Sequence, residues 1–208
     1  MTIRTSLTLT PMTTVALLAL GGGCATMPAG PGFIDPRMAA AAQSETAKEV
    51  ELILDGSGAI TKIAVEDTNG DKTPPALRKL AEATFPGSTL GRYEQEIYPD
   101  RALVHEVEVK TADGKTCEVS ANEAGVLRYS ECNLKPEEIA DAARKALDAA
   151  LPGAEIVEAE LRRTPGNPDE YRIEVTSGAR KWYFRISPEG TVLERAIRVE
   201  AEITIPVK

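Results

Sequence analysis

Between residues 74 and 200 the apolar positions switch between a period near 3.6 and a period of 2. Leu77, Leu80, Ala81 and Phe85 fall on one helical face, as do Ile139, Ala142, Ala143, Ala146, Leu147 and Ala150. Each pattern closes on a Pro-Gly pair, Phe85-Pro86-Gly87 and Leu151-Pro152-Gly153, which stops a helix and turns the chain. Pro136 stands near the start of the second, with Glu137 and Glu138 favourably placed against the helix dipole. After each helix the period becomes 2. Val107 and Val109 alternate with Glu106 and Glu108, Asp113-Gly114 turns the chain, and Cys117, Val119 and Ala121 follow. A turn at Asn122-Glu123-Ala124-Gly125 leads into Val126 to Ser130. The scheme recurs as Tyr171, Ile173 and Val175, a turn at Ser177-Gly178, then Trp182, Phe184 and Ile186. Ser187-Pro188-Glu189-Gly190 turns into Val192 to Val199. Such alternation predicts antiparallel strands with one buried and one wet face, each helix lying on the apolar side.

The markers repeat. Phe85-Pro86-Gly87 and Leu151-Pro152-Gly153 stand 66 residues apart, Gly125 and Gly190 stand 65 apart, and Gly58 precedes Gly125 by 67. A near-constant period means a duplicated supersecondary unit. The predicted class is therefore α+β, a helix packed on an antiparallel sheet and used in tandem. The boundaries read as a partial unit or capping β-hairpin over 48–72, a first unit over 73–133 and a second over 134–208. The closing run Ala201–Val207 is open between an extra edge strand and a tail.

Each unit resembles a PepSY-like domain. The pieces that carry the likeness are Phe85-Pro86-Gly87, Tyr93, Glu106-Val107-Glu108-Val109 and Gly125-Val126-Leu127. In the second unit they are Leu151-Pro152-Gly153, Glu174-Val175, Trp182-Tyr183-Phe184 and Gly190-Thr191-Val192. Tandem modules of this kind are similar in architecture to the β-lactamase inhibitory proteins. The resemblance implies a protein that restrains peptidases or binds partners in the cell envelope, and it brings no catalytic residues with it.

The N-terminus predicts location. Arg4 is its only charge, and Val15-Ala16-Leu17-Leu18-Ala19-Leu20 ends in Gly21-Gly22-Gly23-Cys24. A short apolar core followed by small residues reads as an export signal over 1–24. The small residues before Cys24 resemble the lipobox of bacterial lipoproteins, although Gly21 stands where that family usually has Leu. Lipidation at Cys24 is one reading, and ordinary cleavage after Ala25 or Ala29 the other. Residues 25–47, rich in Ala, Gly and Pro, read as a flexible tether. In an exported chain Cys117 and Cys132, equidistant from the turn at Gly125, are expected to face each other and form a disulfide.

Composition narrows the function. With 24 basic and 32 acidic residues the formal charge is -8, which argues against a nucleic-acid surface and against adsorption to anionic lipid by charge. Nucleophilic catalysis needs a base within reach of the nucleophile. The single histidine, His105, shares a strand face with Val107 and Val109 and reads as a packed side chain. No Cys-x-x-Cys or His-rich metal set and no cofactor motif is present. Asp67, Asn69 and Asp71 alternate like a calcium loop, but Gly70 is off register and no Glu closes it. Glu106 and Glu108, and Glu94 and Glu96 if extended, are paired carboxylates of the kind an acid–base hydrolase uses, though a solvated strand face has the same pattern.

Better candidates are aromatic and arginine side chains. Trp182, Tyr183 and Phe184 cannot share a strand face, so with Trp182 and Phe184 under the helix Tyr183 points outward with Lys181 and Arg185. Tyr93, Tyr98, Tyr183, Arg172 and Arg185 are the expected partner-binding set, because Tyr and Arg dominate binding hot spots. The leading expectation is a non-catalytic envelope binding module with a protein partner. A structural or assembly lipoprotein is the alternative, and a carboxylate hydrolase the third reading.

Overall fold

The computed structural model describes residues 35–200 apart from Arg101. The export segment, Cys24 and the run Ala201–Val207 lie outside these residues. The chain is an α+β protein built on one sheet. Its strands are β1 (Ala47–Leu54), β2 (Ile60–Asp67), β3 (Thr89–Ile97), β4 (Leu103–Lys110), β5 (Thr116–Asn122), β6 (Leu127–Asn133), β7 (Glu155–Arg163), β8 (Glu170–Ser177), β9 (Arg180–Ile186) and β10 (Val192–Arg198). All ten are antiparallel and lie in sequence order, so the two expected units contribute to a single continuous sheet. None of the helices described is long and apolar enough to cross a membrane.

Three helices pack on one side of it: α1 (Pro36–Ala42), α2 (Pro75–Thr84) and α3 (Asp141–Ala150). Leu77 and Ala81 of α2 meet Val107, Val109, Val119 and Ala121. Ala143 and Leu147 of α3, with Ile139 just before it, meet Ile173, Val175, Phe184 and Ile186. Pro136 opens a separate 3-10 turn, Pro136–Glu138, ahead of α3. Both helices stop at the residue before Pro-Gly, where Phe85 and Leu151 leave the helical conformation.

The expected tether through residue 47 is corrected over its second half. Asp35 caps α1 by accepting a hydrogen bond from the Arg37 N–H, 2.9 Å, and Met38 is buried against Ile63, Val65 and Ile97. An alanine-rich stretch can read as linker and still form a helix, because alanine costs no side-chain entropy there. One large apolar residue then suffices to dock it.

The turn glycines explain the repeat. Gly125 and Gly190 both have positive φ, +75° and +89°. A Cβ on Gly125 would come within 2.8 Å of the Ala76 Cβ, and one on Gly190 within 2.7 Å of the Ala142 carbonyl oxygen. In each unit the strand turn lies against the first turn of its helix. Gly58 has φ +85° but open space around it. Gly190→Ala is therefore expected to lower stability by about 2 kcal/mol and Gly58→Ala by about 1, since the second carries the conformational cost alone. Urea midpoints for the two variants decide the ranking; equal losses would remove the steric contribution at Gly190.

Candidate functional site

Alternation puts every second residue on the side that no helix covers, and register aligns these residues in rows. One row runs Glu66, Glu94, Glu106, Ser120 and Tyr129 from β2 to β6. A second runs Glu108, Glu118, Glu131, Arg162 and Glu170 from β4 to β8. A third runs Asn133, Glu160, Arg172, Arg185 and Glu194 from β6 to β10. Glutamates crowd the first strands and arginines the later ones. Like charges directly opposite each other destabilise a sheet, so these rows stand only because other interactions hold them.

This side is not a wet face, as alternation alone implies. The sheet curls until Arg198 of β10 reaches both Glu174, 2.9 Å, and Glu51 of β1, 3.5 Å. Glu96, Glu106 and Glu131 are left 2%, 7% and 4% exposed. Lys62 neutralises part of the cluster, with Nζ 2.8 Å from Glu96 and 2.9 Å from Glu51. Arg162 forks onto Glu131, Nε to Oε2 and a terminal nitrogen to Oε1, both 2.6 Å. Its guanidinium lies 3.3 Å from the centroid of the Tyr129 ring, and the Tyr129 hydroxyl donates to Glu106. Burial pushes the Glu106 carboxyl up to about 7, with Glu96 and Glu131 adding to the effect. Burial, then Glu106 and Glu131, drives Glu118 well above the carboxylate range. Burial would also raise Glu131, but the Arg162 fork outweighs it and holds the group down. The cluster has more carboxylates than cations to pair with them.

The expected partner-binding residues divide between the two sides. Tyr183, Arg172, Arg185 and Tyr98 are on the helix-free side. Arg172 lies 5.9 Å from the Tyr183 ring centroid, and Arg198 covers the same ring at 5.5 Å. Arg185 bonds Glu170, 2.7 Å, and Glu194, 3.1 Å. The Tyr98 hydroxyl donates to Glu96, 3.0 Å. Tyr93 is a correction. It stands opposite Val107, on the helix side, 2% exposed, with its hydroxyl 2.6 Å from His105 Nδ1. Its position in β3 has the parity of the core, which an isolated tyrosine does not reveal. His105 is thereby a packing residue.

Cys117 and Cys132 pair directly across β5 and β6 and form a disulfide. The same register carries Glu118 opposite Glu131, a signal in the sequence that points to the acidic cluster. Ser120, Tyr129 and Glu131 have no motif of their own and become neighbours only through the sheet.

The calcium-like loop is filled from within. Lys72 Nζ donates to Asp67, 2.5 Å, to Thr46 Oγ1, 2.9 Å, and to Ser44. Asp67 also accepts from the Asn69 N–H, 2.8 Å. Burial alone would raise the Asp67 carboxyl, but the Lys72 hydrogen bond and its other donors outweigh that and bring it to about 2. A depressed carboxylate stabilises the fold above its unfolded pKa near 4 and loses that contribution as pH falls toward 2. Lys72 is partly exposed, so screening limits the effect to about 1 kcal/mol. Asp67→Asn is expected to be less stable than the parent at pH 7 by about this amount, and equal to it near pH 2. A gap that stays constant across urea titrations in this range would rule out the carboxylate as its source.

A hydrolase needs room for substrate beside its carboxylates. The space bounded by Glu66, Arg92, Glu94, Glu106, Glu108 and Glu118 is about 20 Å³, far below the roughly 300 Å³ of small-molecule sites. An open hollow of about 330 Å³ lies beside Asn69, Gly70, Asp71, Gly91 and Arg92, where Glu108 is bonded to Arg92 at 2.8 Å.

No protein-family model matches the chain, and no curated protein matches it in sequence. Solved structures do. A DUF2874 family protein from Bacteroides ovatus matches with a TM-score of 0.51 at 14% identity, over 62% of this chain and 89% of that one. A BLIP-like protein from Bacteroides fragilis gives 0.48 at 17%, over 64% and 92%. A DUF2874 family protein from Bacteroides uniformis gives 0.48 at 13%, over 60% and 89%. The likeness is one of fold.

Proposed function

We propose that the chain is a non-catalytic binding module of the bacterial cell envelope, exported and lipid-anchored through Cys24. On this reading it binds a protein partner with the helix-free side of its sheet and restrains a peptidase or another envelope enzyme. Tyr98, Tyr183, Arg172 and Arg185 are the contact residues, and Tyr93 is withdrawn from the set. The observation that carries the reading is the gathering of Tyr183, Arg172 and Arg185 on the helix-free side of the sheet. Buried tyrosines and arginines with polar rims are the usual anchors of protein interfaces.

The module itself reads as tandem PepSY-like units over 73–133 and 134–208, after a partial unit at 48–72. The matched helix ends and the matched contacts of Gly125 with Ala76 and Gly190 with Ala142 support that division.

In-cell crosslinking of the tagged full-length protein, with the mass of each captured species measured, tests the function. The expected result is one dominant enzyme at constant ratio, lost on Tyr183→Ala with Arg185→Glu and inhibited by the purified chain. Capture of only lipid, cell-wall or self-derived species overturns it and favours a structural lipoprotein.

A further inference from the structure

We propose that Glu106, Glu118 and Glu131, together with the Ser120 hydroxyl, form a calcium site on the helix-free side of the sheet. It goes beyond the binding role above and is independent of the partner.

The three glutamates come from adjacent strands β4, β5 and β6, and one carboxylate oxygen from each lies within 4.8 Å of the others. The donors are all hard oxygens. Calcium takes several carboxylates and protein oxygens at once, whereas magnesium keeps most of its waters and is held by one or two carboxylates, so three glutamates and a hydroxyl in a buried setting suit calcium.

A second observation points to a ligand. Ser120 is fully buried on the same face, between Glu106 on β4 and Tyr129 on β6 and two residues from Glu118. Its Oγ has no hydrogen-bond partner among the described residues. A buried hydroxyl without a partner costs about 1–3 kcal/mol, and coordination to a cation would remove that cost. The nearby cations meet the cluster only in part. Arg162 forks onto Glu131 and Arg172 lies 3.6 Å from it, while Arg92 bonds Glu66 and Glu108 and lies 4.0 Å from Glu118; Glu106 has no ion pair among the described residues.

The test uses the purified full chain, freed of metal with a chelator and titrated with calcium chloride alone. Isothermal titration and thermal unfolding are read together. One ion per chain is expected, with a rise in Tm that magnesium chloride at equal concentration does not match. Glu118→Gln keeps the side chain's shape, so it folds without metal; it should weaken calcium binding by at least about tenfold. Ser120→Ala should weaken it less, and Asp113→Asn, in a distant surface turn, not at all. No heat and no Tm shift at about 10 mM calcium overturns the proposal. So does a shift that Glu118→Gln leaves intact, or one that magnesium reproduces.

Discussion

Arg162→Met is expected to destabilise the protein by about 3 kcal/mol, because buried Glu131 loses both hydrogen bonds of its closer guanidinium and keeps only Arg172, 3.6 Å away. Glu131 is 4% exposed and receives both of its short hydrogen bonds from this one guanidinium. It stands beside Glu118, directly opposite it in register, and close to Glu106. Removing the arginine therefore removes the closer counter-charge and increases the repulsion at once. It also strips the packing over the Tyr129 ring, and Tyr129 holds Glu106. The double variant Arg162→Met with Glu131→Gln should recover a large part of the loss, since no charge is then stranded. Urea unfolding of both variants at neutral pH makes the comparison. If the double variant is as unstable as the single, the guanidinium acts through packing alone and the electrostatic account fails.

Phe184→Ala is expected to cost about 3–5 kcal/mol, and more than Trp182→Ala, although tryptophan is the larger side chain. Phe184 is fully buried in the cluster formed by Ile139, Ala143 and Leu147 with Ile173, Val175 and Ile186. Trp182 shares its face but is only partly buried at the margin of that cluster, with Arg195 lying 4.4 Å from its ring centroid. The cost of truncation follows the cavity left behind, and a margin can collapse or admit water where a centre cannot. Thermal or urea unfolding gives the order, and a greater loss for Trp182→Ala would place the centre of the core elsewhere.

Phe184 is a β-strand residue whose direction the chain already encodes. The period of 2 around Trp182-Tyr183-Phe184 puts Phe184 inward and Tyr183 outward, as β9 has them. The same parity, applied to a lone Tyr93 without its strand neighbours, did not reveal that it faces the helices. β7, which carries Arg162, lacks a clean alternation. Its run Glu155–Arg163 carries apolar Ile156, Ala159 and Leu161 broken by a register shift between Ile156 and Glu158, which interrupts the alternation.

What the sequence by itself determined is local and periodic. Two helices stopped by Pro-Gly, hairpins turned at Gly114, Gly125, Gly178 and Gly190, and the Cys117–Cys132 register all follow from short-range rules, because backbone geometry is decided within a few residues. Only the tertiary structure decided that ten strands form one sheet, that α1 joins it through Met38, and that the glutamate-bearing side curls in on itself. Glu106, Glu118 and Glu131 are spread over three strands, and their burial depends on the distant approach of Arg198 to Glu51. Curvature sums small twists over every strand. Nothing in a window of ten residues can tell an exposed glutamate from one the far edge of the sheet will cover.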